Sequence, residues 1–138
     1  MSQNMNRHLT ALEFDKILER LAQFTACPDA RELALSLRPE SDIDLAQAQM
    51  NQTHDAHMLL ARFGGPSFGG LRNVNNAAAR AGAGSTLSMR ELLDVAEVLR
   101  TVRALAQWRS TNAGVETVLD PLFSALQPNK YLETKITS

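Results

Sequence analysis

The spacing of the apolar residues constrains this chain more than any other feature. They recur at intervals of three and four along most of its length, while Val, Ile and Thr are sparse and nowhere alternate with polar residues over five positions. Intervals of three and four lay an apolar stripe along a helix, whereas strict alternation would mark a half-buried strand. The expected fold class is therefore all-α: a helical bundle or lever-like array of two long and about four short helices. Residues 1–138 are expected to form one helical region.

Local signals place the helices. Thr10-Ala11-Leu12-Glu13 has the form of a capping box, in which side chains at both ends satisfy the free N–H groups of a first turn. It predicts a helix with Phe14, Ile17, Leu18, Leu21 and Phe24 on one stripe. Pro28 suits the first turn of the next helix, which carries Leu33, Ala34 and Leu37 and must stop before Pro39. Asp42 is a good N-cap for a long helix reaching about Phe63. Its expected buried stripe is Ile43, Ala46, Met50, Thr53, His57 and Leu60, flanked by Leu45, Ala56 and Phe63, with Asp44, Asn51, Asp55 and Arg62 opposite.

Gly64 and Gly65 end that helix and open a glycine-rich loop over 64–72, which also contains Gly69 and Gly70. Asn73 is placed to cap a short alanine-rich helix up to Ala81. Ser88-Met89-Arg90-Glu91 is a second capping box. The long helix it opens runs to about Trp108, with Leu92, Val95, Ala96, Leu99, Val102 and Ala106 inward. Asp120-Pro121 starts a short helix through Leu126, and 131–138 reads as the beginning of an element that the chain does not finish.

Composition excludes several classes. With 44% apolar and 21% charged residues the chain can bury a core. A net charge of −1 argues against a strongly basic nucleic-acid arm. The single cysteine, Cys27, excludes an internal disulfide framework and a four-cysteine zinc site. No run of 18 apolar residues is present and the N-terminus has no apolar signal region, so the expectation is a cytoplasmic protein with no membrane partner.

The candidate chemistry is thin. Gly65-Pro66-Ser67-Phe68-Gly69 matches the pattern of a nucleophile elbow, but that device needs a strand before the serine, and a helix is expected there. A phosphate-cradling P-loop needs Gly-Lys-Ser/Thr, and none of Lys16, Lys130 or Lys135 follows a glycine. His54, Asp55 and His57 are metal-ligand types, yet His57 falls on the expected buried stripe and His54 well away from it. His57 reads as a core-edge histidine, and Thr53 as a mid-helix threonine bonded to the carbonyl four residues back. Cys27, just before Pro28, reads as a cap or a packed thiol. No catalytic, cofactor-binding or metal residue is assigned.

Charge is uneven: residues 1–69 carry −3 and residues 70–138 carry +2. Arg100 and Arg103 share one edge of the second long helix and are the candidate nucleic-acid contacts, since an arginine fork suits phosphate. Glu97 lies one turn before Arg100 and offers an ion pair within the helix instead, and the small net charge favours this solvated-face reading.

The order of motifs resembles a known family. Leu12-Glu13-Phe14-Asp15-Lys16-Ile17, then Leu33-Ala34-Leu35-Ser36-Leu37-Arg38-Pro39, then Pro66-Ser67-Phe68-Gly69-Gly70-Leu71, Leu87 to Ala96 and Leu132-Glu133 are similar to the N-terminal part of the bacterial MutS-II family, the MutS paralogues with a C-terminal Smr domain. The resemblance implies an N-terminal helical core and lever region. Full-length members continue into an ABC-type ATPase domain that uses ATP and Mg and dimerises, and end in Smr. The family is linked to ATP-dependent DNA binding, endonuclease activity, suppression of recombination, and action on stalled ribosomes and their rRNA.

None of the ATPase or nuclease residues maps onto these 138 positions. Two readings follow. In the first, the chain is a non-catalytic helical region whose movement concentrates in the hinge loop with Gly64, Gly65, Gly69 and Gly70. In the second, it is a stand-alone protein-interaction module that docks a partner helix through Leu93 and Trp108.

Overall fold

The computed structural model describes residues 3–138, with side chains from Asn6 onward. It is all-helical: among the described residues there are eight helices and no strand. The chain forms two compact units, Met1–Pro39 and Glu40–Ser138.

The first unit contains α1 (Gln3–Ala11), α2 (Phe14–Ala22) and α3 (Pro28–Ser36). The capping box expected at Thr10 does not form. The polar N-terminal stretch is itself helical, so Thr10 falls in the last turn of α1 and its hydroxyl donates to the Asn6 carbonyl at 2.9 Å. Glu13 instead takes a left-handed conformation, with φ 53°, at the turn between α1 and α2. Its carboxylate pairs with Lys16. Helix α2 packs on both α1 and α3. Of the expected stripe only Leu18 is buried and Phe14 half-buried, while Ile17, Leu21 and Phe24 are exposed. Ala22 and Ala34 complete the core of this unit.

The second unit opens with Asp42, whose carboxylate accepts from the backbone N–H groups of Asp44 and Leu45. It starts α4 (Ile43–Phe63), which ends at Gly64. A short α5 (Asn75–Gly82) follows, with the Asn73 side chain accepting from the Asn75 N–H. The second long helix, α6 (Met89–Thr111), has the expected capping box at Ser88 and Glu91. It packs against α7 (Asp120–Ser124) and, more extensively, α8 (Lys130–Thr137). The expected start of an element after Pro128 is α8 itself, opened by the Asn129 side chain accepting from the Leu132 N–H.

The buried face of α4 is the reverse of the expected one. Leu59 is 2% exposed, with Asp55, Ala56 and Phe63 half-buried on the same side. Ile43 (81%), Met50 (68%) and Leu60 (50%) are open to solvent, as are Thr53 and His57. The reason is partnership: the Asp55 carboxylate accepts the Val118 N–H at 2.8 Å, which fixes that side toward the rest of the unit. The core is built around Leu59, Ala77, Ala96 and Leu105, with Thr101 buried among α6 residues.

Candidate functional site

The most concentrated polar geometry lies where α8 crosses α6. Arg100 and Arg103, one turn apart on α6, both face Glu133 of α8. Arg103 donates from Nε and Nη2 to the two carboxylate oxygens of Glu133, each at 2.9 Å. Such a two-pronged contact matches the planar guanidinium to the planar carboxylate. Arg100 donates to Glu97 at 2.6 Å and approaches Glu133 at 3.8 Å. The pair within the helix foreseen from the sequence is therefore present.

Glu133 is only 8% exposed, yet its charge is satisfied. The hydrogen bond from Arg103 holds its carboxyl below the usual carboxylate value, against the opposing effect of desolvation. The same contact raises the pKa of Arg103. Two arginines and two glutamates share this edge, so its charge is balanced locally. The phosphate-binding drive of the arginines is correspondingly reduced. In the sequence Glu133 stands out only as part of the Leu132-Glu133 segment, with no role attached; the cap at Asn129, three residues before Leu132, is the signal that a helix starts there.

The glycine-rich loop is fastened onto the same helix. A Cβ at Gly70 would collide with the Thr101 Oγ1 and would lie 2.8 Å from the Glu97 carboxylate. Only glycine allows this approach of loop backbone to α6. The Thr101 hydroxyl donates to the Glu97 carbonyl at 3.0 Å, which fixes its orientation. Gly64 is of another kind: with φ 75° and nothing within 4 Å of an added Cβ, it supplies a backbone turn in open space. Gly65 lies close to the Leu60 side chain and Gly69 near the Ser67 hydroxyl.

A third cluster orders 112–120. Arg109 donates to Asp120 and to the carbonyls of Asn112 and Val115. The Asp120 carboxylate also accepts from the backbone and hydroxyl of Thr117, and these bonds, the backbone one first, lower its pKa. Trp108, expected as an exposed docking residue, is half-buried against Phe123 with ring centroids 5.9 Å apart. Leu93 is exposed as expected.

Ser67 follows α4 rather than a strand and has no elbow around it. Among the described residues no three of His, Cys, Asp and Glu converge. Thr53 donates to the Gln49 carbonyl, as a mid-helix threonine should. Cys27 precedes α3, is half-buried and makes no capping bond with its side chain. His57 is exposed, not at a core edge. No described helix is long and apolar enough to cross a membrane.

The described residues form an all-α array tied together by ion pairs. Its relatives place it in a family. The chain is 32% identical over 131 residues to endonuclease MutS2 of Acetivibrio thermocellus, a match covering 93% of this chain and 16% of that protein. It is 35% identical over 127 residues to endonuclease MutS2 of Ruminiclostridium cellulolyticum, covering 91% and 16%. A putative endonuclease MutS2 of Bacillus subtilis matches at 32% over 97 residues, covering 70% and 12%. No family model matches. The chain is a MutS2-related region that spans about a sixth of the length of the first two relatives.

Proposed function

We propose that this chain is the non-catalytic N-terminal helical region of a MutS2-like protein, and that it serves as the base of a lever. The whole protein would bind DNA in an ATP-dependent manner, cut it as an endonuclease, suppress recombination and act on stalled ribosomes. ATP and Mg would be held outside these 138 residues. The observation that carries this reading is the extent of the match: nine-tenths of the chain aligns with a sixth of a MutS2 endonuclease. The helical array supports it, because α4 and α6, of 21 and 23 residues, are each about 30 Å long or more, a length suited to a lever.

In this reading the pivot lies at Gly64 and Gly65, while Gly69 and Gly70 stay with α6. Gly64 stands in open space, whereas Gly70 is enclosed by Thr101 and Glu97. Any phosphate contact would fall to Arg100, which is half exposed, before Arg103, which is locked on Glu133. The stand-alone interaction module loses one of its two anchors, since Trp108 is already engaged by Phe123.

The purified chain should fold as helix, turn over no ATP, and bind duplex DNA only weakly and in low salt. ATP hydrolysis, or tight binding that survives high salt, would overturn the proposal. A Gly-Lys-Ser/Thr loop encoded downstream in the same reading frame would support it.

A further inference from the structure

The turn between α1 and α2 is held in a conformation that its residues do not favour. Glu13, with φ 53° and ψ 36°, is the one non-glycine residue of positive φ among the described residues. Such left-handed turns usually fall to glycine or asparagine, because a Cβ crowds the following carbonyl. Neither glycine nor proline lies between Gln3 and Ala22, and Leu12 and Glu13 are both good helix formers. The break also leaves backbone groups unmatched. Glu13 makes no side-chain cap, so the N–H groups of Phe14 and Asp15 at the start of α2 have no helical partner. Leu12, at the turn, is 73% exposed. What the bend gains is the seating of α1, and that seat is only partly filled. Leu9 of α1 faces Phe14 and Leu18 of α2 and Leu35 of α3 across a cleft of about 330 Å³. Leu9 and Phe14 are half-buried and Leu35 is exposed.

We propose that α1 is a lid hinged at Glu13, in exchange between a seated and a released state. In the seated state Glu13 is left-handed and Leu9 lies over the cleft. In the released state Glu13 enters the right-handed region and α1 and α2 join into one helix. The Phe14 and Asp15 N–H groups then donate to the carbonyls of Thr10 and Ala11, four residues back. Leu9 and Leu18 are nine positions apart, which is half a turn out of phase on a single helix. Joining the helices therefore carries Leu9 away from the cleft and uncovers Leu18 and Leu35. The opposing contributions are small on both sides: a strained residue and two unmade hydrogen bonds against one half-filled apolar seat. A gap of that kind leaves both states populated. The Glu13–Lys16 pair has a three-residue spacing that either state accommodates, so it does not choose between them.

Substitutions at the hinge should move the balance in opposite directions. Glu13→Gly removes the left-handed penalty and weakens the joined helix, so it should favour the seated state by at least about fivefold. Glu13→Val, whose branched side chain rarely enters the left-handed region, should favour the released state by at least about fivefold. Amide hydrogen exchange of the full 138-residue chain, followed by NMR, reads the two N–H groups that change partner. Protection factors at Phe14 and Asp15 should rank Glu13→Val above the unsubstituted chain and that above Glu13→Gly. The fluorescence of an added apolar dye, anilinonaphthalene sulfonate, should follow the same order as Leu18 and Leu35 are uncovered. Leu9→Ala empties the seat without touching the hinge and should also raise protection at Phe14 and Asp15. Unchanged protection at Ala22 and Ala34 checks that α2 and α3 stay folded in each variant. Protection at Phe14 and Asp15 that ignores residue 13, that is higher in Glu13→Gly than in Glu13→Val, or that falls in Leu9→Ala would each overturn the proposal.

Discussion

Arg103 grips Glu133 through two hydrogen bonds of 2.9 Å, and this clasp joins α6 to α8 across thirty residues of sequence. Glu133 titrates below its ordinary value because Arg103 bonds its charged form. A carboxyl with a depressed folded-state pKa contributes stability above its unfolded pKa, and that contribution disappears as pH falls through the folded value. Asp120 and Glu91 are depressed as well, mainly by backbone N–H donors at Thr117 and Ser88. Thermal unfolding should therefore show a midpoint that is flat near neutrality and falls on acidification into the carboxylate range. Glu133→Gln should lower the midpoint at pH 7 and flatten the acid limb. An unchanged acid limb would mean that the clasp does not contribute.

The close approach of Gly70 to α6 gives a second test. Gly70→Ala should destabilise the fold by about 1–3 kcal/mol, because the methyl group meets Thr101 and Glu97. Thr101→Ala removes the nearest obstacle, so adding Gly70→Ala to that background should cost clearly less. A double-mutant cycle by urea unfolding measures the difference, and additive effects would show that Gly70 is not enclosed.

Neighbouring residues on α4 should behave very differently. Leu59→Ala leaves a cavity in the core of the second unit and should cost about 2–5 kcal/mol. Leu60→Ala, at a half-exposed position, should stay well under that when measured in dilute protein. Equal effects would put the buried face of α4 elsewhere.

The two sequence-level capping boxes should also separate. Ser88 caps α6, and Ser88→Ala should cost about 0.5–2 kcal/mol. Thr10 bonds only within the last turn of α1, so Thr10→Ala should be close to neutral. Chemical denaturation of the two variants under one condition compares them directly.

The sequence by itself determined the all-α class, the start of α4 at Asp42 and its end at Gly64, the capping box of α6, and the Glu97–Arg100 pair. These are local matters: a cap is satisfied by residues two or three positions away, and a helical turn brings residues three apart together. Tertiary structure alone decided which side of α4 is buried. A run with apolar residues on two sides cannot choose between them until a partner is present, and here the partner includes the Val118 N–H, 63 residues from Asp55. It also decided that Thr10 lies inside a helix, that Trp108 meets Phe123, and that Gly70 is enclosed rather than free. The Arg103–Glu133 clasp belongs to the same group, because an ion pair thirty residues apart exists only after the chain has folded back.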